Sequence, residues 1–508
     1  MNQAWLFNQG ENYQSYNMLG GHPHVSPEGE PGYRFALWAP RAMGVSAVGD
    51  FNGWDPEAHP LTPYGTTGIW QGFVTDAQEW QRYKYAVRTR SGRTLLKADP
   101  FARHAETRPG TASILYDGQD DYEWGDQAFM AARPPAREAG PLNIYEVHLG
   151  SWRRYADGHV YSYRDIAGQL ADYCLDMGYN AVELMPVMEY PLDASWGYQV
   201  TGYFAATSRY GTPADLKYLI DVLHQAGLRV ILDWVPSHFP KDDFALARFD
   251  GQPLYEEPDS RKGEHEDWGT LVFNYGLKEV QSFLLSSAYF WIHEFHIDGL
   301  RVDAVSSMLY LDFGRSRAQP NHQGNYLNLD AIAFLKTLNG MVADHFPHCI
   351  MAAEESTPFP HVSLPVAEGG LGFTHKWMMG WMNDTLAYME TDYFARGQVH
   401  DKITFSMTYA FQENFILPFS HDEVVHGKKS LLGRMPGDYW RQFASLRACY
   451  MYQMSHPGAK LNFMGNEFAP YLEWRYYEEL EWFMLKYPRH QEMQDFVRSL
   501  NHLYLDSP

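Results

Sequence analysis

"IDGLRVDAV", residues 297–305, joins the periodicity of a buried strand to two side chains that such a strand should not carry. Leu300, Val302 and Ala304 fall on one face by the strand's period of two, as in a core strand. Arg301 and Asp303 occupy the other face. A guanidinium and a carboxylate in an apolar run are costly to bury unless each is partnered or does chemistry. Taken alone, the pair is as readily a structural ion pair as a site. The reading turns on whether other strands end the same way.

Seven further stretches have strand character: "LNIYEVHL" (142–149), "NAVELMPV" (180–187), "LRVILDWV" (228–235), "CIMAAEES" (349–356), "FTHKWMM" (373–379), "FILPFSH" (415–421) and "AKLNFMG" (459–465). Helical stretches separate most of them. The clearest opens at Thr212-Pro213-Ala214-Asp215, a cap residue, a Pro at the first helical position and an acid where a capping box places one. Leu216, Leu219, Ile220 and Leu223 then recur at helical spacing. Eight strands alternating with helices predict a (β/α)8 barrel over 142–508, with a doubly wound open sheet as the rival. This half exceeds the ~250 residues typical of such a barrel. The surplus follows strands, chiefly at 188–211 and 236–277, where long loops build a deep site.

Several of these strands end in charge. The third ends at Asp233 and leads to His238; the fourth carries Arg301 and Asp303. The fifth ends with Glu354 and Glu355, and the seventh with His421 and Asp422. Like charges held together cost stability without a compensating role, and barrel catalysis sits at strand C-termini. The acids come without metal-ligand spacing or a cofactor motif, so the expectation is no cofactor and no metal. Acid/base and nucleophilic work on a neutral substrate remains. Two carboxyl groups about 5–5.5 Å apart perform retaining glycosidic chemistry, one as nucleophile and one as acid then base. Arg301, two residues from Asp303, is placed to orient it.

Apparent motifs elsewhere fail on detail. "HGKKS" (426–430) lacks the phosphate loop's first Gly and its Ser/Thr after Lys. The histidines of "HDEVVH" are five apart and share no helical face.

Before the barrel, residues 33–125 read as all-β, with short aromatic strands such as "YRFALWAP" and "RYKYAVRT" around a turn-rich "GDFNGWDP". The Pro- and Ala-rich "ARPPAREAGP" marks the clearest boundary. The organisation expected is 1–130 for an N-terminal segment and β-sandwich, 131–141 for a linker and 142–508 for the barrel.

Across 508 residues, 62 acidic against 40 basic side chains give a net charge of −22, which repels nucleic acid and anionic membranes. Neutral substrates or small cations remain as partners. The 16 Trp and 35 Tyr suit flat, hydroxyl-bearing ligands as well as a large core. Cys174, Cys349 and Cys449 form no disulfide framework, and "MNQAWLFNQGENY" has no signal-peptide pattern, so a cytoplasmic location is expected.

At the charged strand ends the sequence resembles the α-amylase superfamily and, within it, the glycogen (1,4-α-glucan) branching enzymes. The likeness covers nearly the whole chain, including "VGDFNGWDP", "YEVHLGSW", "ELMPVMEYPLDASWGYQVTGYF", "DWVPSHFP", "GLRVDAVSSMLYLDF", "AAEES", "LPFSHDEVVHGKKSL" and "FMGNEF". The resemblance implies an α-glucan substrate such as glycogen or amylose, Asp303 as nucleophile, Glu354 as proton donor and Asp422 as third carboxylate. It places Tyr198, Asp233, His238, Arg301 and His421 around the cleaved sugar. It implies a carbohydrate-binding module for 33–125, with Trp54, Trp70 and Lys84 as sugar contacts or as core and interface residues. Departures fall at Ser237 (usually Gly), Val200 and Ala206 (Pro), Tyr190 (His), Ala194 (Gly) and segment 314–328. They bear on acceptor placement and loop rigidity. The family's C-terminal β-domain is also expected to be absent. A hydrolase of the same superfamily, or a glucan-binding protein without activity, are the rival functions; oligomeric state is not legible.

Overall fold

The computed structural model describes residues 2–118, 121–315 and 318–507; residues 316 and 317 of the divergent segment lie outside them. The eight expected strands close into one parallel barrel. They are β1 (Asn143–Val147), β2 (Ala181–Leu184), β3 (Arg229–Trp234), β4 (Gly299–Val302), β5 (Ile350–Ala353), β6 (His375–Trp377), β7 (Phe415–Phe419) and β8 (Ala459–Phe463). The open sheet is thereby excluded.

The helices packed outside are α1 (Tyr163–Asp176), α2 (Pro213–Gln225), α3 (Lys278–Glu294), α4 (Leu329–His345), α5 (Met379–Glu390), α6 (Tyr439–Ser455) and α7 (Pro488–Asp506). Thr212 and Asp215 form the expected reciprocal capping box at α2, with Pro213 in the first turn. The connection from β5 to β6 has no such helix among the described residues; a single 3-10 turn, Val366–Glu368, stands there. None of the described helices is long and apolar enough to cross a membrane.

Strand alternation divides the barrel wall. Outward-facing Leu300 and Val302 join the large core beneath the helices, while inward-facing Ile144, Ala181, Ile231, Ile350, Ala352, Trp377, Ile416 and Leu461 form a separate apolar plug. Gly299 is required where β4 meets β5: a β-carbon there would lie 2.8 Å from the Ile350 carbonyl oxygen. Ala304 departs from the expected strand face. β4 ends at Val302, and Ala304 takes a left-handed φ of 52° as the chain turns.

Residues 20–114 form two facing antiparallel sheets. One contains Gly20–Val25, Pro31–Trp38, Ile69–Val74 and Thr62–Pro63; the other is built around Gly44–Gly49 and Arg82–Arg88. Residues 3–17 dock on α3 through small hydroxyls: Ser286 Oγ donates to the Asn12 carbonyl at 2.7 Å, and Ser282 Oγ to that of Phe7 at 2.9 Å. These contacts explain why α3 buries residues on all sides.

Candidate active site

The alternation that plugs the bottom of the barrel with apolar side chains changes character one step higher. Two residues beyond Ile144 comes Glu146, beyond Ala181 Glu183, beyond Ile231 Asp233, and beyond Ala352 Glu354. Arg301 lies in register beside Asp233, in the middle of these acids. Its guanidinium is 1% exposed. Nη1 donates to Asp233 Oδ1 at 2.7 Å and to Asp303 Oδ1 at 2.8 Å, and Nη2 lies 3.1 Å from Glu354 Oε2. The opposite face of the guanidinium rests on the Trp377 ring at 4.5 Å.

One cation against three carboxyl groups cannot neutralise them all. Burial raises the Asp303 proton affinity well above the usual range; Arg301 opposes it, and the Glu354 and Asp233 charges add to it. Asp233 is raised to about 6 by burial, against the pull of Arg301 and Tyr198. Glu183, whose two oxygens have no protein partner, is pushed up by burial and then by Glu146 and Asp233. Burial and mutual repulsion favour the protonated forms of these groups, and Arg301 favours the charged ones.

His421 closes the other side. Its Nδ1 meets Glu146 Oε1 at 2.5 Å, its backbone N–H donates to Oε2 at 3.0 Å, and Nε2 lies 3.6 Å from Asp422 Oδ1. Burial alone would lower this imidazole, but the Glu146 and Asp422 charges raise it to about 9. Asp422 stands at the rim with its side chain 46% exposed. Tyr198 stacks on His421 at 5.5 Å, and its hydroxyl donates to Asp233 Oδ2 at 2.5 Å.

His238 is held by two bonds that fix its tautomer. Nε2 donates to the Tyr198 carbonyl at 3.1 Å, so Nδ1 accepts from Ser237 Oγ at 2.8 Å. Burial lowers this ring to about 4, so it is neutral at ordinary pH. Ser237, one of the departures, thus has a structural consequence.

Tyr198, His238, Arg301, Asp303, Glu354, His421 and Asp422 line one open cleft of about 540 Å³ at the C-terminal end of the barrel. Asp233, the remaining expected residue, lies beneath it, fully buried under Tyr198 and Arg301. Trp196 and Trp268 add flat walls, Trp196 stacking on His426 at 5.2 Å. Trp196, Ala304 and His426, which line the cleft, all have left-handed φ.

Glu355 belongs elsewhere. It is fully buried on the far side of the β5 end, paired with Lys376 at 2.7 Å and accepting from Ser306 Oγ at 3.0 Å. Glu146 and Glu183 were missed as site residues, although "YEVHL" and "AVELM" carry the same signal as "GLRVDAV", a charge inside an apolar strand. In the sandwich, Lys84 Nζ donates to Thr111 Oγ1 at 2.6 Å and lies over Phe244 of a barrel loop at 5.7 Å. Trp70 Nε1 donates to the Ala39 carbonyl at 3.0 Å, and Trp54 Nε1 to Asp50 at 3.2 Å.

Comparison with known proteins agrees with this architecture. The family described as carbohydrate-binding module 48 (isoamylase N-terminal domain) matches residues 19–102, and the alpha amylase catalytic domain matches residues 153–261. The chain is 56% identical over 504 residues to the 1,4-alpha-glucan branching enzyme GlgB of Nitrosospira multiformis, covering 98% of this chain and 67% of that protein. It is 52% identical over 514 residues to the protein of that name from Oleidesulfovibrio alaskensis, covering 99% of this chain and 80% of that one. Among solved structures, a putative alpha amylase from Salmonella typhimurium shares the fold with a TM-score of 0.70 at 19% identity, over 96% of this chain and 86% of that one. A pullulanase complexed with maltotetraose, from Anoxybacillus sp. LM18-11, does so with a TM-score of 0.74 at 18% identity, over 98% and 75%.

Proposed function

The chain belongs to the 1,4-α-glucan branching enzymes of the α-amylase family, and on that basis we propose how its cleft cuts an α-1,4 bond and remakes it as an α-1,6 branch. Asp303 is the nucleophile. Its carboxylate attacks the anomeric carbon of the donor sugar while Glu354 gives a proton to the departing 4-oxygen, leaving a glycosyl ester on Asp303. Glu354, now a carboxylate, takes the proton from a 6-hydroxyl of an acceptor chain. That oxygen attacks the same carbon and releases Asp303, so two inversions retain the α configuration.

The observation that carries this reading is the single Arg301 guanidinium that contacts both carboxyl groups. It holds them as neighbours without either moving between steps. Asp422 and charged His421 accept and donate to hydroxyls of the sugar as its ring flattens, Tyr198 packs against the ring, and His238 donates no charge but fixes the Tyr198 backbone. Asp233 orients Arg301 and Tyr198 from below. Residues 1–130 extend the glucan contact, with glycogen as the polymer, and the three buried free thiols fit a reducing cytoplasm.

The test is incubation with linear amylose, following iodine absorbance, reducing ends and chains released by debranching. Branching lowers the iodine signal and yields new short chains on debranching, with little earlier gain in reducing ends. Reducing ends that rise in step with the loss of colour would make the protein a hydrolase.

A further inference from the structure

A branching enzyme handles two chains, and the catalytic cleft accounts for one. We infer that the groove beside β6, on the flank of the barrel, seats the acceptor chain; this rests on the branching activity above. The groove encloses about 640 Å³ and shares Ser356 and Met379 with the catalytic cleft. Among the described residues no long helix stands between β5 and β6, where the groove lies.

Reaction chemistry restricts where the acceptor can lie. Its 6-hydroxyl must approach the anomeric carbon from the side that the leaving oxygen vacated, where Glu354 stands ready as base. The acceptor therefore comes in over the end of β5, and the groove opens at the residues immediately after Glu354.

Its lining suits glucose units. Phe359, Phe405 and Tyr409 supply flat apolar faces, and Phe405 is 58% exposed, with no interior to fill. Among the described residues, the Tyr409 hydroxyl, the His361 ring and the Gln412 amide have no protein hydrogen-bond partner, so they are free for sugar hydroxyls. The floor is rigid. Lys376 Nζ is tied to Glu355 at 2.7 Å and to the Thr357 carbonyl at 2.9 Å, and Glu413 receives the backbone N–H groups of Val362 and Ser363 at 2.9 and 2.7 Å.

The experiment uses the full chain and Phe405→Ala, Gln412→Ala and Phe405→Trp variants, none of them in the catalytic cleft. Amylose is the donor and a fluorescently labelled maltodextrin the titrated acceptor. Phe405→Ala should raise the apparent KM for labelled acceptor about fivefold, the loss of one stacking contact. It should also shift product from branches toward new reducing ends, while the rate of donor cleavage stays within about twofold. Gln412→Ala should move the same way by less, and Phe405→Trp should restore transfer. If cleavage falls in proportion to transfer, the groove holds the leaving chain and the inference is overturned. Unchanged acceptor KM and product ratio, beside a wild type that does branch, also overturn it. A wild type that makes no branches would overturn the function itself, a distinct result.

Discussion

Ala304 steers Glu354 through its backbone. Its N–H donates to Glu354 Oε2 at 2.8 Å, and the next N–H, of Val305, donates to the Glu354 carbonyl at 3.0 Å. Both bonds depend on the left-handed turn at Ala304, which aims consecutive N–H groups at the end of β5. A β-branched side chain tolerates that conformation poorly. Ala304→Val should cost about 1–3 kcal/mol of stability and lower kcat more than tenfold, with glucan affinity little changed. Chemical denaturation and initial rates check this; full activity in a destabilised variant would show that the turn does not position the acid.

If Asp303 is the nucleophile, Asp303→Asn should lose several orders of magnitude in rate while still binding glucan, because no ester forms. Glu354→Gln should instead trap a covalent sugar when given a fluorinated donor with a good leaving group, which needs little protonation. Mass spectrometry of the peptic peptide holding "GLRVDAV" reads the added mass. An adduct on Asp233, Glu355 or Asp422 would reassign the roles.

Among the described residues Arg301 is the only cation paired with Asp233, Asp303 and Glu354, and Arg301→Met removes it. Breaking a buried ion cluster from one side typically costs ~3–5 kcal/mol. The sign with pH follows from the shifts already present: Asp233 and Asp303 are raised by burial even with Arg301 in place. Without it they rise further, and a carboxyl group raised on folding destabilises as pH climbs above its unfolded value. The gap in urea midpoint between wild type and variant should therefore be wider at pH 8 than at pH 5. Equal gaps would mean that Arg301 acts by packing alone.

His421 has the opposite linkage. Its folded value of about 9 lies above the ordinary imidazole range, so its pairing stabilises fully below about pH 6.5 and is lost as pH rises through 9. Glu146→Gln removes the largest raising charge but keeps an acceptor for the His421 backbone. The wild type should lose stability between pH 6.5 and 9 more steeply than this variant. Parallel curves in denaturant titrations at three pH values across that window would refute it.

Much of the molecule could be read in advance because its signals are local. Period two in "IDGLRVDAV" and its counterparts identifies the strands, and charge at their ends marks the candidate site. What stayed hidden depends on closure. Ala304 reads as one more strand residue until β5 supplies the acid that its N–H must meet. Glu354 and Glu355 are adjacent and chemically alike, yet one faces the cleft and the other Lys376, and only the pleat at the end of β5 separates them. Glu146 of β1 pairs with His421, 275 positions away, a partnership that no local pattern carries.

Lys97 has a bearing on how such proteins can be rearranged. It is 2% exposed, and its ammonium caps three carbonyls of the loop after β3: those of Asp243 at 2.5 Å, Ala245 at 3.2 Å and Ala247 at 2.8 Å. Those carbonyls accept from a cation that the sandwich provides. A graft that swaps this sandwich for another, without a lysine at the equivalent strand end, leaves three carbonyls without their cationic partner. The seam between the two halves is therefore a poor place to cut, and a recombination library would do better to inherit the sandwich and residues 243–247 as one block.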